Sequence, residues 1–179
     1  MKRFHLILFL AVFTILIDSG SVHAEQVTAF LKLDGISGDS TTLPHRGEIE
    51  LLSYFWSESM SASVTAGSRA GAGKINMQDV MVTMFSSTAT PKLFVTAASG
   101  THIRNATITL SRVNTSGIQD LVTWKLSDVM ISSYKTFFEK GKDARSRDEL
   151  TLNFSKIEVE YKPTGSKAGW DLKTQKATN

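Results

Sequence analysis

The 179-residue chain contains no cysteine. That absence excludes a disulfide framework, a thiolate metal site and a cysteine nucleophile. Histidine is sparse, with four in the chain, and His5 and His23 fall in the first two dozen residues. The remaining pair, His45 and His102, forms no HExxH motif, and no EF-hand carboxylate spacing occurs, so no metal site is expected. Charge of one sign is also scarce: 20 Lys and Arg against 17 Asp and Glu leave a formal net charge of +3. The basic residues are interleaved with acidic ones and form no stripe, so no nucleic-acid footprint is expected. Long hydrophobic runs are missing except for residues 6–17, which fall short of the roughly 20 apolar residues that span a bilayer.

That one run has a setting. Lys2 and Arg3 precede it, and Val22-His23-Ala24 follows with small residues at the cleavage-determining positions. A basic, then apolar, then small layout predicts a secretory signal peptide over residues 1–24 and a mature chain from Glu25. Its removal lowers the net charge to +2. No other segment is apolar enough to cross a membrane, so no stable anchor is expected after cleavage. About 155 residues remain, enough for one domain with a proper core and too few for two. The domain is assigned to residues 25–173. Residues 174–179 form a polar tail without apolar anchors, for which no ordered structure is expected.

Apolar residues in the mature chain recur mostly with a period of two, the signature of strands. Val27, Ala29, Leu31 and Leu33 alternate, as do Ala106, Ile108 and Leu110, and Val122, Trp124 and Leu126. In several places the phase slips by one. Leu150, Leu152 and Phe154 hand over to Ile157, Val159 and Tyr161 across Ser155-Lys156. Leu126 gives way to Val129 and Ile131 around Asp128, and Ile75 and Met77 yield to Val80, Val82 and Met84 around Asp79. A one-residue slip turns all later side chains to the other face unless a bulge absorbs it. Repeated slips let a sheet curl closed and let a strand leave one packing layer for another. One helix interrupts the pattern over residues 90–98, with Thr90 as a candidate cap, Pro91 in the first turn and Gly100 at the end. These signals predict a mainly β fold: a β-barrel-like sandwich of two curled antiparallel sheets with one short α-helix.

Catalytic constellations are absent. Gly67 to Lys74 imitates a phosphate-binding loop, but five residues separate Gly67 from Gly73 instead of four. Ile75 stands where a magnesium-ligating hydroxyl belongs, and a strand follows where a helix should. Gly35-Ile-Ser-Gly38 is one residue short of a nucleophile elbow. His102, just beyond the helix-ending Gly100, suits the negative end of the helix dipole better than catalysis. Glu158 and Glu160 alternate with Val159 and Tyr161 as the solvated face of a strand. No catalytic residue, cofactor or metal ligand is assigned.

Several segments nevertheless resemble a known family in the right order. Residues 30–35 (FLKLDG), 48–56 (EIELLSYFW), 72–79 (AGKINMQD), 90–93 (TPKL), 127–133, 150–161 (LTLNFSKIEVEY) and 169–172 (GWDL) are similar to segments of the Hcp family, the tube-forming proteins of the bacterial type VI secretion system. The resemblance implies a ring, commonly a homohexamer, that stacks into a conduit, carries effector proteins in its lumen and is capped by a spike protein. In that family the residue between the paired aromatics is commonly small and polar and faces the lumen. Here Phe55, between Tyr54 and Trp56, occupies that position. Residues 57–73, rich in Ser, Ala and Gly, match the family's extended loop between subunits, with Met60, Val64, Ala66 and Arg69 as candidate contacts. The signal peptide departs from the family, whose tube subunits assemble in the cytoplasm before secretion. The alternative reading is an exported Hcp-like binding or structural module of the periplasm or exterior, outside any secretion tube.

Overall fold

The computed structural model describes residues 26–60, 75–115, 117–141 and 144–178. The predicted signal peptide and most of the predicted inter-subunit loop, including Val64, Ala66 and Arg69, lie outside them. Eleven strands and one helix run in the order β1 (Gln26–Leu33), β2 (Ile49–Phe55), β3 (Glu58–Met60), β4 (Ile75–Met77), β5 (Val80–Phe85), α1 (Thr90–Ser99), β6 (Ile103–Asn114), β7 (Gly117–Phe137), β8 (Arg147–Asn153), β9 (Lys156–Tyr161), β10 (Ser166–Asp171) and β11 (Lys176–Thr178).

Six strands close a barrel. Sheet order runs β7-β6-β1-β2-β5-β8, and a further pairing of β8 with β7 completes the ring. The period-two residues fill it: Leu31 and Leu33 from β1, Val82 and Met84 from β5, and Leu150 and Leu152 from β8 are almost fully buried. Register shifts interrupt the barrel at places other than the phase slips read from the sequence: β2 carries an extra residue, Leu52, between Leu51 and Ser53, and β7 carries Leu121 opposite Leu110/Ser111 and Ser132 between Ile131 and Ser133.

The slips at Asp128 and at Ser155-Lys156 coincide in space. Strand β7 pairs with β9 from Val122 to Ser127 and with β8 from Met130 to Phe137, so β8 and β9 lie end to end along one edge of it. Between them Ser155 donates both its backbone N–H and its hydroxyl to the Ser127 carbonyl, at 3.1 and 3.2 Å. Asp128 sits opposite this joint in the left-handed region, at φ 53°, which aspartate tolerates better than most residues. Beyond the joint the layers separate: β8 continues into the barrel through β5, whereas β9 carries an outer sheet of β10 and β11.

The middle of strand β1, Ala29–Leu31, is buried on both faces. Leu31 faces the barrel, while Phe30, 1% exposed, is covered by the segment between β1 and β2. His45 from that segment stacks on the Phe30 ring at 4.2 Å and 12°. Its Nδ1 meets Glu48 Oε2 and its Nε2 meets Asp120 Oδ1 on β7, each at 2.9 Å. The Ser111 hydroxyl on β6 also donates to Asp120, at 2.8 Å. Gly38 permits the segment to fold back, since a Cβ there would lie 2.4 Å from the Glu48 carbonyl oxygen.

At the slip around Asp79 the strand pattern breaks into β4 and β5, and Asp79 accepts hydrogen bonds from Ser132 Oγ (2.7 Å) and Asn153 Nδ2 (2.8 Å). Two sequence expectations change. Thr90 does not cap the helix: Ala89 holds the cap position without a side-chain bond. The Thr90 hydroxyl instead accepts from the Ser87 N–H at 2.9 Å and donates to the buried carboxylate of Asp148. The polar tail is also ordered in part, since β11 pairs with β10 from Gly169↔Thr178 to Asp171↔Lys176. Backbone pairing needs no apolar anchor. The helix C-terminus follows expectation: Gly100 is left-handed at φ 61° and its N–H reaches the Ala97 carbonyl.

Candidate functional site

Strand β2 sets the exterior of the barrel. Ile49 and Leu51 are buried while Glu50 and Leu52 are exposed. The register shift after Leu51 leaves Leu52 and Ser53 both outward, and Tyr54 then returns inward. Tyr54 packs on Trp124 at 5.1 Å between ring centroids, and burial raises the pKa of its hydroxyl above the ordinary 10. Phe55 is therefore turned out, with 62% of its surface exposed.

Register across the next strands shows what surrounds it. Phe55 lies beside Met81 of β5, Met81 beside Thr151 of β8, and Thr151 beside Ser133 of β7. The neighbouring row is Ser53, Thr83, Glu149 and Lys135, in which the Lys135 ammonium donates to Glu149 at 2.7 Å. A third row holds Phe85, Arg147 and Phe137, and the Arg145 guanidinium lies 3.4 Å above the Phe85 ring. The outer wall of β2, β5, β8 and β7 is thus mostly polar or charge-paired, with exposed apolar side chains at Phe55 and Met81 near one end and at Leu52 and Phe137 beyond the polar row.

A short arm extends from that end. After Trp56 and Ser57 the chain forms β3, paired with β4 from Glu58↔Met77 to Met60↔Ile75. The predicted structureless loop therefore begins as a hairpin. Met60, at its outermost described position, is 61% exposed. Phe55 and Met60 stand on consecutive strands of this end, whereas Val64, Ala66 and Arg69 lie outside the described residues. Sequence reading missed Met81, because an apolar residue in alternation with Val80 and Val82 gives no sign that it neighbours an outward phenylalanine.

Two polar clusters brace the scaffold. Asp148, fully buried on β8, accepts hydrogen bonds from Ser86 (3.0 Å), Tyr134 (3.2 Å) and Thr90. Burial first, and then the Asp148 charge, raise the Tyr134 hydroxyl above its ordinary pKa. At the corner where the layers part, Asp128 accepts from Lys173 (2.6 Å) and faces His102 Nδ1 (2.8 Å). The Lys173 hydrogen bond, followed by that of His102, lowers the Asp128 carboxyl to about 2. Among the described residues no group of three His, Cys, Asp or Glu side chains is placed to hold a metal ion, and no helix is long and apolar enough to cross a membrane.

Comparison with known proteins agrees with this architecture. The family described as "Type VI secretion system effector, Hcp" matches residues 30–161. Protein hcp1 of Pseudomonas aeruginosa is 33% identical over 150 residues, which cover 82% of this chain and 92% of that protein. The crystal structure of Hcp1 from Salmonella typhimurium superposes with a TM-score of 0.69 at 26% identity, over 85% of this chain and 99% of that one. The structure of a type six secretion system protein, 23% identical, superposes with a TM-score of 0.78 over 86% of this chain and all of its own, and so shares the fold. The ordered segments, the six-stranded barrel with its outer sheet and the match over residues 30–161 together mean that this chain belongs to the Hcp family of tube-forming structural proteins of the type VI secretion system.

Proposed function

We propose that the mature chain assembles into a closed homohexameric ring in which the outer wall of β2, β5, β8 and β7 lines the lumen. The observation that carries this reading is the wall itself. Rows of short polar and ion-paired side chains suit a water-filled conduit, and the Phe55–Met81 pair is a local apolar contact for an effector passing through it. The β3–β4 arm and residues 61–74 beyond it extend toward a neighbouring subunit or ring, with Met60, Val64, Ala66 and Arg69 as contacts. A spike protein caps the stack. Closed cyclic symmetry buries the same pair of patches in every subunit, which a family of ring-forming proteins supports. Light scattering on protein lacking residues 1–24 should give a mass of about six subunits. A stable monomer at concentrations on the order of tens of micromolar would refute the ring.

One feature supports a second reading. The basic, apolar and small-residue layout of residues 1–24 favours export through the general secretory route, so that the ring acts in the periplasm or outside the cell and not in a cytoplasmic tube. N-terminal sequencing of protein from separated cell fractions distinguishes the two. A chain beginning at Glu25 in the periplasm supports export, whereas an intact N-terminus in the cytoplasm supports the tube.

A further inference from the structure

The chain has three tryptophans, Trp56, Trp124 and Trp170. All three line one cavity of about 320 Å³, between the β3–β4 arm and the inner face of the outer sheet. Register explains their convergence. Trp124 on β7 lies beside Val159 on β9, which lies beside Ala168 on β10; one row along, Leu126, Ile157 and Trp170 are neighbours. Trp56 and Met77 close the cavity from the arm side, and both pack against the core. The size falls at the lower end of the range for small-molecule sites.

The only charged residue in its lining is Glu58, exposed on β3 opposite Met77. Among the described residues the Glu58 carboxylate has no ion-pair or hydrogen-bond partner, and no lysine or arginine lines the cavity. Aromatic faces present negative potential, and an unpaired carboxylate at the rim adds to it. Such a wall attracts a cation that is too weakly hydrated to prefer water.

We propose that this cavity binds a quaternary or methylated ammonium group, with the tryptophans surrounding the methyl groups and Glu58 countering the charge. A hydrophobic site alone would take an uncharged ligand of the same shape equally well. Choline and its uncharged carbon isostere dimethylbutanol therefore separate the two. Because every tryptophan lines the cavity, intrinsic fluorescence of the full chain reports occupancy without a label. Titration with choline chloride, against sodium chloride at matched ionic strength, should give a saturable change with a midpoint on the order of millimolar. Dimethylbutanol should bind at least about tenfold more weakly, because it loses both the rim charge contact and the attraction of the tryptophan faces for a cation. Glu58→Gln, at an exposed position that leaves the barrel intact, should weaken choline by about fivefold, the worth of the charge contact alone, and leave dimethylbutanol unchanged. Equal binding of the charged and uncharged ligands, no loss on Glu58→Gln, or no saturable change up to roughly 100 mM choline would each overturn the proposal.

Discussion

Phe55 and Phe154 are both aromatic residues in apolar stretches, yet one is 62% exposed and the other 5%. The difference makes a direct test of the outward wall. Phe154→Ala should cost about 3–5 kcal/mol in urea melts, the usual loss for a truncated core aromatic. Phe55→Ser should cost less than about 1 kcal/mol, because little apolar area leaves water in the folded state. It should also lower retention of an apolar effector in pull-downs from the assembled ring. Similar destabilisation by the two substitutions would place Phe55 in a packed environment and remove it from the wall. Asp128 offers a test by acidity. Its carboxyl is lowered from 3.8 to about 2, so its bonds to Lys173 and His102 are fully present above pH 3.8 and disappear as the pH falls through about 2. NMR titration of the folded protein should locate this transition below the ordinary carboxyl range, and Lys173→Ala should return it toward 3.8. The site is exposed and screened by salt, so the effect on global stability should be slight.

Among the elements, the segment between β1 and β2 has no regular structure of its own and is held by His45. The imidazole joins Glu48 within the segment to Asp120 on β7 while its ring covers Phe30. Replacing it by alanine removes an aromatic stack and leaves two partly buried carboxylates without that partner. His45→Ala should cost about 2–4 kcal/mol and raise hydrogen exchange at the Gly38 and Ser40 amides, which bond to Gly47 and Glu48. Unchanged protection there would show that the backbone contacts hold the segment unaided. Helix α1 is docked differently. Leu93 and Thr96 are its buried side chains, and its first residue is tied to Asp148, which also holds Ser86 and Tyr134. Phe94 and Val95 remain exposed on its outer side.

At the scale of the whole molecule, the barrel closes because β7 is long enough to serve two layers. Its C-terminal half completes the ring through β8, and its N-terminal half carries the outer sheet. The arm of β3 and β4 is a separate two-stranded sheet held by three register pairs. Deletion of residues 62–70 should therefore weaken association between rings in sedimentation while leaving the thermal midpoint of the isolated ring nearly unchanged. Loss of soluble folded protein instead would show that these residues stabilise the subunit.

Much of this fold was legible along the chain. Period-two alternation identified the strands, and the slips at Asp128 and Ser155-Lys156 marked the place where the two layers part, because side-chain phase is a local property of consecutive residues. Gly100 ended the helix as its backbone freedom implied. Other features depended on residues far apart in sequence. Thr90 looked like a cap but bonds Asp148, a partner 58 residues away. His45, which belongs to no sequence motif, meets Asp120, 75 residues away. The polar tail gained order from the hydrogen-bonding edge of β10, which its composition does not encode. The local sequence determined which face each strand buries, since that follows from the alternation of Cβ directions. Only the tertiary structure decided which polar groups find partners and that the three tryptophans share a cavity, since those depend on strand register between distant segments.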